Sequence, residues 1–483
     1  MALIQLLVVP IYLDRLGVEA YGLIGFCASV LITAQVLELG LSQSLTRELA
    51  RYSSLASTEG TALFLSVERL YWLLAGISAA ALLVAVPVIG RHVASSQLSQ
   101  GTVMTALELI ALLAGLQIMM NLYQAGLVGL ERIRWVSLLR ILTSSAAALG
   151  GVLIIVYFAP SVLALFAWNA GVLAVSALFA RALLRGHLPR TPQRPPLRAD
   201  LVRGLWRFAS GMTAITMAAV LVSQLDRWVL IHLLPLEEFG HYALAATLSA
   251  AVYLIVSPLF GVLFPRFSFL AAQHDEASVL RIYAMATQAL VASIVPLAIA
   301  LALFSHDVLS LWTRNAGVSA QAAPVVSILV VGSMLNGLMN IPFALHLAYG
   351  RTGLIAAINA AGIIVLVPAL LVLAPAFGPK GAALAWLAFN IVFALLAIPL
   401  TQRTVPKLSA AHWIARDVLP GAAAALLVLI AAKLASPVDI SDLLRAVYLV
   451  AALGLAVLAA SLAGSHTREW LLAHARKLPY ALR

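Results

Sequence analysis

The chain has 483 residues, of which 63% are hydrophobic and 10% charged, with a mean hydropathy of +1.02 and a formal net charge of +11. Soluble globular chains are about 45–50% apolar and about 25% charged. This composition therefore excludes a soluble enzyme, a nucleic-acid-binding domain and a secreted disulfide scaffold, and leaves an all-α polytopic membrane protein.

Apolar stretches long enough to cross a bilayer recur to the end of the chain and predict about 14 transmembrane helices. They fall at 1–14, 20–42, 62–88, 102–127, 138–158, 162–183, 206–232, 240–262, 282–304, 321–347, 353–374, 382–400, 418–434 and 444–463. Turn chemistry separates several of them, at Pro160-Ser161, at G-P-K-G over 378–381 and at Ser436-Pro437. Cys27, the single cysteine, forbids an intrachain disulfide and reads as a small core residue. Apolar residues begin at Ala2 with no basic region before them, so no removable signal peptide is expected.

The basic residues orient these spans. With both termini cytoplasmic, the inner side holds Arg47, Arg51, Arg69, Arg132, Arg134 and Arg140, then the dense stretch from Arg181 to Arg207. Arg266, Arg281, Arg351, Arg403, Lys407 and Arg416 follow on that side, and Arg468, Arg476, Lys477 and Arg483 close the tail. The outer side holds only Arg15, Arg91, Arg314, Lys380, Lys433 and Arg445. Arg227 alone falls inside a span. The positive charge thus reports topology before it reports any anionic partner.

The chain also repeats itself. GVEAYG at 17–22 aligns with PLEEFG at 235–240, matching Glu19 with Glu237, Tyr21 with Phe239 and Gly22 with Gly240. One residue further out of step, Arg47 falls on Arg266, Met120-Asn121 on Met339-Asn340, Ala125 on Ala344, Arg132 on Arg351 and Pro160 on Pro379. Coincident Arg, Asn, Pro and Gly at one nearly constant offset are not cheap by chance. Spans one to six therefore repeat as seven to twelve, in parallel, about a pseudo-two-fold axis along the membrane normal. The expected domains are an N-terminal six-helix bundle (1–184), a basic cytoplasmic linker (185–205), a C-terminal six-helix bundle (206–403), an extra two-helix hairpin (404–464) and a basic amphipathic cytoplasmic tail (465–483). Beside its partner the first helix is clipped: residues 1–14 reach only about 20 Å against a ~30 Å hydrocarbon core. A start lying further upstream, or a truncated helix, would account for it.

Two six-helix bundles in parallel describe a transporter working by alternating access, with its site near mid-membrane. The stretch PIYLDRLGVEAYGLIGF at 10–26, followed by LELGLSQSLTRELARY at 37–52, resembles the opening of polysaccharide-biosynthesis flippases. These are the O-antigen translocases and their relatives within the multidrug/oligosaccharidyl-lipid/polysaccharide exporter superfamily. QLDRWVLIHLLPLEEFGHYALA at 224–245 is a second family-like stretch. The resemblance covers spans one to twelve and says more about the family than about the glycan. It implies movement of a polyprenyl-diphosphate-linked oligosaccharide across the bacterial cytoplasmic (inner) membrane for surface polysaccharide such as O-antigen, through a cationic lumen. The clipped first helix and the two extra spans depart from the pattern. The extra hairpin is similar to the fourteen-helix layout of peptidoglycan lipid II flippases.

A diphosphate in hydrocarbon needs fixed cations to replace water. Arg227 in span seven is the first candidate, with Asp226 beside it to orient it or exchange a proton; outward snorkelling or a structural ion pair is the plain alternative. Arg47 and Arg266 end symmetric helices on the inner side, where they either capture a headgroup or only anchor the helix ends. Gln117, Asn121 and Gln124 share one face of span four by their spacing, and Asn336 and Asn340 lie on the equivalent span ten. These amides bind the substrate or serve as interhelical glue. Tyr123 and Trp168 could stack on sugar rings, though aromatics in spans more often pack.

Among acids, Glu108 reads as the most membrane-embedded and, with Asp226, is the candidate to couple a proton or sodium gradient. Glu68 reads as a local ion pair with Arg69, and Glu38 as interfacial. His232 and His346 show no metal-ligand spacing, and no cofactor motif is present. An enzyme is not expected, since a polymerase or ligase would need a large external loop and the longest here spans 305–320. A drug or cation antiporter of the same superfamily is the rival, but would want an acidic lumen. The tail mixes Trp470, Leu471, Leu472 and Leu478 with basic residues and reads as an interfacial helix on anionic lipid. The expected partners are the lipid-linked glycan, membrane lipid and polysaccharide assembly proteins, with no nucleic acid.

Overall fold

The computed structural model describes residues 2–38, 41–53, 58–93, 97–189, 217, 220, 223–405, 407–437 and 440–475. Among them helices joined by short turns make up the whole fold, with no strand, and twelve helices are long and apolar enough to cross a membrane. Two of the fourteen predicted spans are not separate members of that set. Spans one and two run together as α1 (Ala2–Ala34), broken at Gly17. Span seven, predicted over 206–232, lies largely outside the described residues, which show it as helix over 223–233 (α7). Most of the linker predicted over 185–205 and the last residues of the tail also lie outside them.

The chain divides into two compact units, Met1–Gly240 and His241–Arg483. The first contains α1, α2 (Leu41–Ser53), α3 (Thr58–His92), α4 (Gln100–Gly129), α5 (Ile133–Leu153), α6 (Val162–His187), α7 and the first turns of α8 (Leu236–Ser249). Helix α4 is its centre, packed against α2, α3 and α6, because apolar residues on most of its circumference leave only a narrow outward stripe through Glu108 and Leu112. Ser99 starts it by accepting the Thr102 N–H at 3.1 Å.

Gly17 has φ 83° and ψ 172°, a conformation that suits glycine, and it ends one helix so that the next can begin at a new angle. Five residues on, Gly22 meets Gly240. A Cβ at Gly22 would lie 2.6 Å from the Leu236 carbonyl oxygen, and one at Gly240 only 2.4 Å from that of Val18. The glycines that the repeat aligns are thus in contact, backbone against backbone, as small residues allow in membrane helices. Their contact helps explain why α7 and the start of α8 cluster with the first unit although the repeat assigns their sequence to the second half.

The second unit comprises the rest of α8, α9 (Tyr253–Ala272), α10 (Glu276–Leu303), α11 (Ser305–Thr313), α12 (Ala316–Leu338), α13 (Asn340–Ala348), α14 (Thr352–Phe377) and α15 (Pro379–Thr404), then α16 (Leu419–Leu434), α17 (Asp442–Ala463) and α18 (Ser465–Ala475). Helices α10 and α12 are the most buried of its spans. Asp275 caps α10 by accepting the Ser278 N–H at 3.0 Å, and the Ser278 hydroxyl and N–H hold its carboxyl below the usual range. The outer loop predicted over 305–320 is instead the short helix α11, turned into α12 by Arg314 in the left-handed region (φ 52°).

The extra hairpin, α16 and α17, packs on α10 through a seam of small residues, Ala425, Ala452, Ala456 and Ala460, around Ala292, Phe304 and Leu429. Polar clasps fix it at both ends. Gln288 on α10 donates to Asp417 Oδ1 at 2.8 Å and Ser465 Oγ at 3.2 Å, and accepts the His466 N–H at 2.8 Å. At the other end Asp307 of α11 meets Lys433 at 3.3 Å and Arg445 at 3.9 Å. Filling the glycine crossing should be costly: Gly22→Leu is expected to destabilise the protein by about 1–3 kcal/mol through overpacking. Gly76→Ala, where a Cβ meets nothing within 4 Å, should lose nothing; thermal unfolding in detergent compares the two.

Candidate functional site

Arg227 is half-buried on α7, and its Nη1 donates to Ser29 Oγ at 3.2 Å. One residue on, Trp228 Nε1 donates to Thr33 Oγ1 at 3.0 Å, and its ring meets Phe26 edge-on at 5.4 Å. Phe26, Ser29 and Thr33 form one face of α1 by their spacing, so α7 docks along that face. The side chain neither snorkels freely nor, among the described residues, sits in an ion pair. Asp226 is half-buried beside it.

A second cluster centres on Glu38, which is buried rather than interfacial. Tyr71 donates to its Oε1 at 3.1 Å and Asn121 Nδ2 to its Oε2 at 3.0 Å. Gln117 Nε2 in turn donates to Asn121 Oδ1 at 2.9 Å, and Ser42 shares a hydrogen bond with the Tyr71 hydroxyl at 3.1 Å. The predicted amide face of α4 is therefore built, but two of its members serve a carboxylate. Gln124, the third, accepts from Arg140 Nε at 2.9 Å.

A third cluster corrects the reading of Glu68 as a local pair with Arg69. Glu68 is buried, and its carboxylate takes Arg181 Nε and Arg185 Nη2 at 2.7 Å each. Tyr123 donates to the same carboxylate at 3.1 Å. These arginines lie four residues apart on α6, a spacing that puts both on one face. That was the signal available in the sequence; the partner, more than a hundred residues away, was not.

Each of the remaining candidates has its own surroundings. Arg47, expected to end a helix, instead sits midway along α2, exposed and 3.9 Å from Glu48, because the chain starts a new helix at Leu41. Arg266 is exposed on α9, its guanidinium 5.5 Å over the Phe269 ring. Asn340 donates to the Asn336 carbonyl at 2.9 Å. Asn336 accepts from Tyr253 and donates to Asn390, both at 2.9 Å, which is interhelical glue. Glu108, expected to be the most embedded acid, is the exposed one of the three, because it lies on the outward stripe of α4. Tyr123 is buried against Glu68, and Trp168 Nε1 donates to the Ala146 carbonyl at 3.0 Å. His346 shares hydrogen bonds with Thr404 at 2.9 Å and Thr401 at 3.3 Å. No cluster of metal-ligating side chains occurs among the described residues.

Residues 1–271 match the family model described as polysaccharide biosynthesis protein. Over 386 residues, 79% of this chain and 89% of the relative, the sequence is 23% identical to a Shigella flexneri protein named as an O-antigen transporter. Among solved structures the fold matches the lipid II flippase MurJ in an inward closed conformation, with a TM-score of 0.74, 12% identity, and coverage of 94% of this chain and 95% of that one. It also matches an inward-facing multidrug resistance MATE family transporter of the MOP superfamily, at TM-score 0.72 and 14% identity over 85% and 96% of the two chains. At these identities the likeness is one of fold.

The Glu38 cluster makes a stability prediction. Asn121→Leu strips the donor from Glu38 Oε2 and the acceptor from Gln117, and should cost about 1–3 kcal/mol. Glu108→Gln, on the outward stripe, should cost nothing measurable; thermal unfolding of the two variants checks the contrast.

Proposed function

We propose that this chain, which belongs to the polysaccharide biosynthesis protein family, is a flippase that moves a polyprenyl-diphosphate-linked oligosaccharide across the bacterial cytoplasmic membrane. It would feed surface polysaccharide synthesis and work by alternating access, as a transporter and not an enzyme. The observation that carries the reading to a residue is Arg227. It is a guanidinium held half-buried in a membrane helix by a neutral hydroxyl, with its charge left to act on an anion. A diphosphate in a low-dielectric passage is the ligand such a cation suits. Asp226 flanks it; Arg47, exposed midway along α2, and Arg266, exposed on α9, serve headgroup capture on the cytoplasmic side, where the termini also lie. Gln117, Gln124, Asn121 and Asn340 are secondary candidates for sugar contacts.

Coupling to a proton or sodium gradient is assigned to Glu38 in preference to Glu108, because a buried carboxylate with two neutral donors can change charge within the fold. Glu38 and the MATE-like fold also favour a second reading, a drug or cation antiporter.

Lipid extracts of a gene-deletion strain separate the readings. The flippase predicts polyprenyl-diphosphate oligosaccharide accumulating on the inner leaflet with loss of surface polysaccharide. Unchanged lipids with new sensitivity to a cationic drug would replace it by the antiporter. Within the flippase, Arg227→Ala is expected to abolish export at normal protein level, and Arg227→Lys to restore part of it; normal export by the Ala variant would remove Arg227 from the site.

A further inference from the structure

The Glu68 cluster opens on a cavity of about 770 Å³ in the first unit. Its walls carry Thr61, Glu68, Arg69 and Trp72 from α3 and Arg181 and Arg185 from α6. Three arginines and one carboxylate line it, two of the arginines holding that carboxylate, so the formal charge of the lining is positive. Glu68 engages Arg181 through Nε and Arg185 through one Nη. It fixes both side chains while leaving the rest of each planar fork directed elsewhere. Arg181 is 32% exposed and Arg185 45% exposed, against 5% for the Glu68 side chain. A buried acid that pins two half-exposed arginines in register is a mount for a second anion, and a pair of such forks matches the oxygens of a phosphate.

Depth and surroundings narrow the ligand. Arg181 and Arg185 lie in the last two turns of α6, on the side that the basic-residue distribution assigns to the cytoplasm. Trp72 is 52% exposed at the cavity wall, and the next residue, Leu73, begins an outward apolar stripe on α3 that continues through Ile77 and Val84. Tryptophan beside cations at the end of a lipid-facing stripe marks headgroup level in a bilayer.

The geometry points to a phosphate-binding site in this cavity. Arg181, Arg185 and Arg69 hold the anion, which is supplied by the headgroup of an anionic phospholipid or by free phosphate. The site stands apart from Arg227 and does not depend on what the protein transports.

Thermal-shift titration of the full-length protein in detergent tests it, with dihexanoyl-phosphatidylglycerol, dihexanoyl-phosphatidylcholine and inorganic phosphate as probes. Phosphatidylglycerol should raise the unfolding midpoint saturably and phosphatidylcholine should not. Arg185→Gln and, separately, Arg69→Gln should weaken the response roughly tenfold, the loss expected for one charged hydrogen-bonding partner. Arg69→Gln leaves both Glu68 ion pairs in place, and an unchanged unfolding midpoint without ligand separates its loss of binding from a disrupted fold. An Arg-dependent response to phosphatidylglycerol alone identifies the headgroup as the source, and one to inorganic phosphate alone identifies free phosphate. No saturable response to either, or a response unchanged in both variants, overturns the site.

Discussion

A charged side chain in hydrocarbon has no water to hold its charge, so the protein must supply what water would have supplied. That constraint arranges the polar groups of the first unit. Glu68 is held by two guanidiniums and a phenol, Glu38 by a phenol and an amide, and Arg227 by a serine hydroxyl. The three solutions differ in kind. Glu68 is over-neutralised and rigid, Glu38 is held by groups without charge, and Arg227 keeps its charge against a neutral partner. Rigidity suits a mount, neutral donors tolerate a change of protonation, and an unspent cation suits a passing anion.

The architecture was legible because membrane helices declare themselves by length and apolarity. The sequence repeat rests on residues that packing cannot swap freely. Gly22 and Gly240 show why: a match at equal spacing in the sequence turned out to be a physical contact in which neither position has room for a Cβ. The break at Gly17 falls in the gap between the first two predicted spans, 1–14 and 20–42, and the sequence could not say that the helices would run on through it.

Side-chain partners were much less legible. The i, i+4 spacing on α4 correctly grouped Gln117 with Asn121, yet gave no sign that their common client is Glu38, 83 residues away. Burial on a helix depends on which neighbours cover it. Glu108 sits in as apolar a context as any acid in the chain but falls on the stripe that α4 turns outward. Conversely, Glu68 has Arg69 next to it in sequence, and adjacent residues on a helix point in different directions; its true partners come from α6. Nearest neighbours along the chain were the wrong place to look for ion pairs.

The clasp at Gln288 bears on the history of the appended hairpin. One amide on α10 satisfies Asp417, Ser465 and the backbone of His466, all of which belong to the added segment. Without that segment the same amide would face lipid with its hydrogen bonds unmet, so hairpin and glutamine form a single inheritable unit. A twelve-helix homologue should carry an aliphatic or small residue at the equivalent of 288, and grafting the hairpin onto it would require restoring the glutamine first.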